Sequence, residues 1–337
     1  MKTLTTFQKE RQLTDKTMET YKTTIKHYEQ LNQQTIEQLI QEADQEEEQG
    51  IRWKHRKLRK RLIQYQNWLL QEYNYTTAQT YLSKLKTIYN HHQIEIHQLP
   101  PLNKKQAKIS KPITYNDLPT KETLLKAYHI SNPLMRSYIL FAISTGCAKR
   151  EILNLKRTDY YEWIRPYNIN DIIKDKVEII PTIHLKRQKT NQYYYTFASP
   201  EAIREIAHYL NSRKDDKPEL FKIYPKHLEE KFRILNQQLG LGTLNGRALL
   251  RTHILRKFHA SQLHSGENHL TLDEIDSLQG RSKNTIRESY FFDNPEDLRK
   301  KYIRNIDQVT ILDKVHTITV DSPEVELLKK KANKIDE

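Results

Sequence analysis

Through its first hundred residues the chain repeats apolar side chains at three- and four-residue intervals, a spacing that only a helix gathers onto one face. Met18, Tyr21, Ile25 and Tyr28 form one such stripe, with Asp15 placed to cap its helix. Thr35 is placed to cap a second helix, which runs into the acidic stretch Asp44 to Glu48 and stops before Gly50. A third is expected from about Ile51 to Tyr73, with Leu58, Leu62, Tyr65 and Leu69 on its buried side. Its other side carries Arg52, Lys54, Arg56, Lys57, Arg59, Lys60 and Arg61. A fourth helix, about Thr76 to Tyr89, adds Lys84 and Lys86 to the same cationic inventory.

From Leu99 to Pro112 the pattern stops. Prolines remove backbone donors here, and Lys104 and Lys105 resist burial, so the stretch reads as an extended basic linker. The chain thus divides into a helical domain (1–98), a basic linker (99–113), a larger domain (114–310) and a C-terminal tail (311–337). In the larger domain Asn132-Pro133 opens an apolar helix that stops near Gly146. Strands at Thr182 to Lys186 and Tyr193 to Phe197 flank Gln188-Lys189-Thr190-Asn191, which suits a hairpin turn. Ser199-Pro200-Glu201 starts another helix, and further helices are expected over Pro225 to Leu239, Thr252 to His264, Leu272 to Gln279, Ser282 to Phe291 and Pro295 to Val309. A strand, Val315 to Val320, and a helix after Ser322-Pro323 close the chain. The fold class is mainly α with a small β-sheet.

Charge narrows the partners. Lys and Arg number 56 against 42 Asp and Glu, a formal charge of +14, which favours a polyanion because each neutralised phosphate releases counterions. No apolar run is long enough to span a bilayer and the N-terminus has no apolar signal core, so a soluble protein of the cytoplasm and nucleoid, without a membrane partner, is expected. The single cysteine, Cys147, leaves no internal disulfide and no multi-cysteine metal site. Gly240-Leu-Gly242-Thr-Leu-Asn-Gly246 has one residue too many for a dinucleotide fingerprint and reads as a helix cap followed by a loop.

Breaking a DNA phosphodiester without a metal calls for a nucleophile, cations for the non-bridging oxygens and a proton for the leaving oxygen. Arginine offers paired permanent donors, lysine a proton, and tyrosine a covalent attachment point. His253 and Arg256, three apart, share a helix face. Lys189 stands at a hairpin tip, and Gly280-Arg281 precedes Tyr290 by nine residues.

Taken in order, Ser144-Thr-Gly-Cys-Ala-Lys-Arg-Glu-Ile-Leu-Asn-Leu155, Lys189-Thr190-Asn191, His253 to Arg256, Gly280-Arg281 and Tyr290 resemble the boxes of the tyrosine recombinase (phage integrase) family. The segment from Arg187 to Ala202 is especially similar to integrases of archaeal, methanogen elements. The resemblance covers about Leu118 to Ile306, and implies an α-helical core-binding domain followed by an α+β catalytic domain. It implies that Tyr290 attacks the scissile phosphate to give a 3′-phosphotyrosine, and that Lys189 protonates the leaving oxygen. Arg256 clamps the phosphate, His253 assists proton transfer, and Glu151 props the site. Two positions depart from the family pattern. Ala148 stands where the first arginine is usual, leaving Lys149 or Arg150 as its replacement, and Arg281 stands where His or Trp is common.

The implied partners are double-stranded DNA attachment sites, held by four copies of a chain that is monomeric when free, with an accessory DNA-bending factor as a further partner. Strand exchange runs through a Holliday junction, with no cofactor and no metal. Arg52, Lys54, Arg56, Lys57, Lys60, Lys84, Lys104 and Lys105 are the expected DNA-backbone contacts. The rival expectations are a DNA-binding protein of the same fold that has lost the chemistry, a type IB topoisomerase-like relaxase, and a metal-dependent transposase or nuclease.

Overall fold

The computed structural model describes residues 2–266, 268–281 and 294–312. The expected helix Ser282 to Phe291 with Tyr290, the strand Val315 to Val320 and the last helix lie outside the described residues. The chain forms two compact units, Met1–Lys111 and Pro112–Glu337.

The first unit is a bundle of α1 (Lys2–Glu10), α2 (Asp15–Asn32), α3 (Ile36–Glu48), α4 (Lys57–Glu72) and α5 (Tyr75–His91). Met18, Tyr21, Ile25 and Tyr28 on α2 meet Leu58, Leu62, Tyr65 and Leu69 on α4 in one core. Tyrosines do much of the joining: Tyr65 packs edge-on against Tyr28, and the Tyr89 hydroxyl donates to that of Tyr28 at 3.2 Å. Thr35 and Gln38 close a reciprocal capping box at the start of α3.

Three local expectations are corrected. The cap of α2 is Thr14, whose hydroxyl accepts from Thr17 N–H, and Asp15 is the first helical residue. The third helix does not start at Ile51. A short 3-10 turn, Trp53–His55, comes first, and α4 begins at Lys57 because the Glu46 carboxylate, reaching from α3, accepts the N–H groups of Lys57 and Leu58. The supposed linker is not extended over its length. Leu99 and Ala107 are buried in the first unit's core, Asn103 caps a 3-10 turn at Lys104–Gln106, and Lys108 N–H reaches the Leu70 and Tyr73 carbonyls at the end of α4.

The second unit contains α6 (Lys121–His129), α7 (Pro133–Thr145), α8 (Lys149–Leu153), α9 (Arg157–Trp163), α10 (Ile169–Ile173), β1 (Thr182–Lys186), β2 (Tyr193–Phe197), α11 (Pro200–Ser212) and α12 (Pro225–Gln238). There follow β3 (Thr243–Leu244), β4 (Arg247–Ala248), α13 (Thr252–Leu263), α14 (Leu272–Leu278), α15 (Pro295–Arg304) and α16 (Ile306–Val309). Helix α7 is apolar on nearly every face because α6, α11, α13, α16 and β2 all pack against it. Strands β1 and β2 form an antiparallel hairpin whose register runs from Thr182 opposite Phe197 to Lys186 opposite Tyr193.

The Gly240 to Gly246 stretch is more than a loop. Asn245 and Gly246 both have positive φ (52° and 72°), and an Asn-Gly pair of this kind closes the two-residue turn between β3 and β4. The helix expected over Pro295 to Val309 is broken at Asn305, whose side-chain amide donates to Asn268 O and Lys301 O. Among the described residues the fold is mainly α, with two small antiparallel hairpins.

Candidate active site

The site forms where four segments of the second unit meet: the end of α7, the β1–β2 hairpin, α13 and the end of α14. Helix α7 terminates at Gly146 with φ +63°, the left-handed conformation that a side chain resists. Gly146 is needed for space as well, since a Cβ there would stand 2.4 Å from His259 Nδ1. Gly280, at the other edge, also has positive φ (57°), and a Cβ there would strike the Tyr194 ring at 2.5 Å.

Arg256 sits between these glycines, 5% exposed. Its guanidinium donates to Gly146 O and to Gln279 O, both at 2.6 Å, so the ends of α7 and α14 hold it in one orientation. Burial, then the positive charge of Arg187, push its pKa down to about 10, which leaves it charged at neutral pH. Arg187, just past β1, donates to the same Gln279 oxygen at 2.7 Å. Gln279 in turn donates through Nε2 to Arg256 O and bonds His259 Nδ1 at 2.9 Å.

His253, one helical turn before Arg256, is exposed at the start of α13. Desolvation and then the positive charges of Lys257, Arg251, Arg256 and Arg281 lower its pKa, so a neutral imidazole faces the cluster at pH 7. Arg281 is half-buried and pairs with Asp276 at 3.2 Å. Lys189 lies exposed in the hairpin turn, which Arg187 and Gln192 close at 2.7 Å and Asn191 bends through positive φ. Tyr290 is outside the described residues.

The segment after Gly146 divides its residues. Glu151 is buried; its carboxylate accepts from Ala148 N–H at 2.8 Å and from the Tyr194 hydroxyl at 3.1 Å, tying α8 to β2. Lys149 turns to an ion pair with Glu229 on α12, and Arg150 is exposed.

The cations of the first unit also separate. Arg52, Lys54, Lys60, Lys104 and Lys105 are exposed. Arg56 is not a surface residue: it is 7% exposed, paired with Glu47 at 3.1 Å and bonded to Ile51 O. Lys57 bridges to Glu42, to which Arg61 also pairs, and Lys84 lies over the Tyr21 ring at 4.5 Å.

Sequence reasoning missed Arg187, His259 and Gln279 as parts of this cluster. Each has a local signal: Arg187 sits two residues before Lys189, His259 three after Arg256, and Gln279 directly before Gly280. None of those signals says that the three converge. Among the described residues no three His, Cys, Asp or Glu side chains are grouped to hold a metal ion, and no helix is long and apolar enough to cross a membrane.

No protein-family model matches the sequence, and no curated protein matches it. Solved structures do. A lambda integrase dimer bound to a COC′ core site aligns at a TM-score of 0.52 and 15% identity, covering 87% of this chain and 97% of that one. A lambda integrase tetramer bound to a Holliday junction aligns at 0.53 and 14%, covering 87% and 79%. The fold is that of lambda integrase. At these identities the likeness is one of fold, so the chemistry rests on the side chains described above.

Proposed function

We propose that this chain is a site-specific DNA recombinase that cuts and rejoins duplex DNA through a phosphotyrosine at Tyr290. The observation that carries the reading is Arg256: a buried guanidinium held by two backbone carbonyls at the centre of a cationic cluster, within the lambda integrase fold. Such a group is oriented before any ligand arrives, which is what stabilising a developing charge on phosphorus requires.

In this reading the Tyr290 oxygen attacks the scissile phosphorus as its proton leaves to His253, whose lowered pKa keeps it able to accept one. The bond from phosphorus to the 5′ oxygen breaks, and Lys189, reaching from the hairpin turn, gives that oxygen a proton. Arg256 and Arg281 hold the non-bridging oxygens, and Glu151 keeps the Ala148–Lys149 turn in place. The phosphotyrosine conserves the energy of the broken bond, so a 5′ hydroxyl from a second duplex reverses the step and completes the exchange.

The exposed cations Arg52, Lys54, Lys60, Lys104 and Lys105 supply DNA-backbone contacts on the first unit, and the second unit carries the chemistry. One lambda integrase neighbour is a tetramer on a Holliday junction, and we extend the same assembly and junction to this chain. The kinship to archaeal element integrases rests on the Arg187 to Ala202 segment.

A second reading, a DNA-binding protein of this fold without the chemistry, is favoured by one observation: Ala148 brings no charge and Lys149 is committed to Glu229. A nicked duplex that traps covalent intermediates separates the two. In the presence of chelator, a protein–DNA adduct that disappears in Tyr290→Phe supports the recombinase, whereas tight binding without an adduct on a duplex known to be bound specifically supports the second reading.

A further inference from the structure

The hairpin arginine is unexplained by the reaction as drawn. Arg187 and Arg256 donate to one oxygen, that of Gln279, so two permanent cations lie side by side in a half-buried place. Like charges in such surroundings repel: after burial itself, the charge of Arg187 lowers the Arg256 pKa, and the buried Glu151 carboxylate offsets this only in part. Arg187 Nε is moreover buried and without a hydrogen-bond partner among the described residues. A fold that only needed Gln279 O to be satisfied has Arg256 for that purpose. Ala148 brings no charge, Lys149 is taken by Glu229, and Arg150 is exposed, so among the described residues Arg187 is the guanidinium held beside Arg256.

We propose that Arg187 is a third phosphate-holding arginine of this site, joining Arg256 and Arg281 on the same phosphate of a DNA strand. The proposal rests on the recombinase reading and names a residue that neither the sequence boxes nor that mechanism assigned. A phosphodiester spreads its single negative charge over two non-bridging oxygens, and two forked donors anchored on one carbonyl can each reach one of them. The anion would offset the repulsion between the two guanidiniums, whose terminal N–H groups face it. Because Arg187 leaves β1 at the base of the turn that carries Lys189, a phosphate held by Arg187 also lies within reach of that turn.

The test uses the full chain and two readouts. First, inorganic phosphate is titrated against the unmodified protein, Arg187→Gln, Arg256→Gln and the exposed-surface control Lys16→Gln on α2, following phosphorus-31 line broadening. Glutamine can still donate to Gln279 O, and melting curves check that each variant folds. Both arginine variants should weaken saturable phosphate binding by about tenfold or more, the effect of removing one charge-assisted pair, while Lys16→Gln leaves it unchanged. Unaltered binding in Arg187→Gln, or no saturable binding in the unmodified protein, overturns the proposal. Second, the nicked-duplex adduct is measured on the same set. A loss of about a hundredfold in Arg187→Gln with partial recovery in Arg187→Lys supports it, and an adduct yield equal to the unmodified protein's overturns it. If phosphate binding depends on both arginines but the unmodified protein forms no adduct, the phosphate clamp stands and the strand-transfer reading fails.

Discussion

The Cα of Gly146 faces the buried imidazole of His259 so closely that a single added carbon would lie 2.4 Å from its Nδ1. The contact joins the end of α7 to the middle of α13, and it is also what lets the Gly146 carbonyl meet Arg256 on the same helix. Ordering of the candidate site therefore begins with the absence of a side chain.

Gly146→Ala should destabilise the protein by about 2–4 kcal/mol, since left-handed strain and a core clash add. Urea unfolding monitored by tryptophan fluorescence measures it. A change under about 0.5 kcal/mol would show that α13 yields easily and that the close approach is incidental.

His259 is fully buried, and burial, then the charges of Arg256 and Arg281, lower its pKa to about 3. The unfolded chain takes up a proton at this residue near pH 6.5 and the folded chain does not until about pH 3, so protons favour unfolding as pH falls through that window. Stability should drop by about 2 kcal/mol between pH 6.5 and 4.5 from this residue alone. Unfolding midpoints across that range, compared with His259→Asn, isolate the contribution. Parallel pH profiles for the two proteins are the outcome that contradicts it.

Arg256 has two duties that one substitution can separate. Arg256→Ala removes the side-chain donor to Gly146 O and one of the two to Gln279 O, and should cost about 1–3 kcal/mol of stability through the buried Gly146 carbonyl left without it. Arg256→Lys keeps a charge and one bond, so it should fold with a smaller penalty yet lose about a hundredfold or more of the covalent adduct. Full adduct formation by the lysine variant would mean that charge suffices and the fork geometry is incidental.

The cations of the first unit should respond in two ways. Replacing exposed Arg52, Lys54, Lys60, Lys104 or Lys105 by Ala should lower the slope of log affinity against log salt by about 0.9 for each phosphate no longer neutralised, with little effect on melting. Arg56→Ala should instead lower the melting temperature and leave that slope alone, because the guanidinium is buried on Glu47 and Ile51 O. DNA titrations at several salt concentrations, paired with melting curves, check both halves; a slope change in Arg56→Ala would place it back on the DNA surface.

Much of the secondary structure is legible along the chain. Both strands of the β1–β2 hairpin, the Asn132-Pro133 start and Gly146 stop of α7, and the Thr35 cap of α3 depend on residues within four or five positions of one another. Periodicity, caps and turn residues are local physics, so sequence order alone determines them. The Asn245-Gly246 turn is equally local, but strands of two residues are too short to show the alternation that would announce a hairpin.

What the tertiary structure decided is which side chains share an environment. Arg56 and Lys60 look alike in a basic run, yet Glu47 and the Ile51 carbonyl take one inward and leave the other in water. The start of α4 is displaced by Glu46, a residue of the previous helix. Arg187 reads as the flank of a turn until α14 delivers the Gln279 carbonyl to it, and His259 reads as a second histidine until α7 ends against its ring. A residue's own neighbours in sequence set its backbone, but its charge state, burial and partners are set by segments that arrive from far along the chain, and only their packing brings the two arginines to one oxygen.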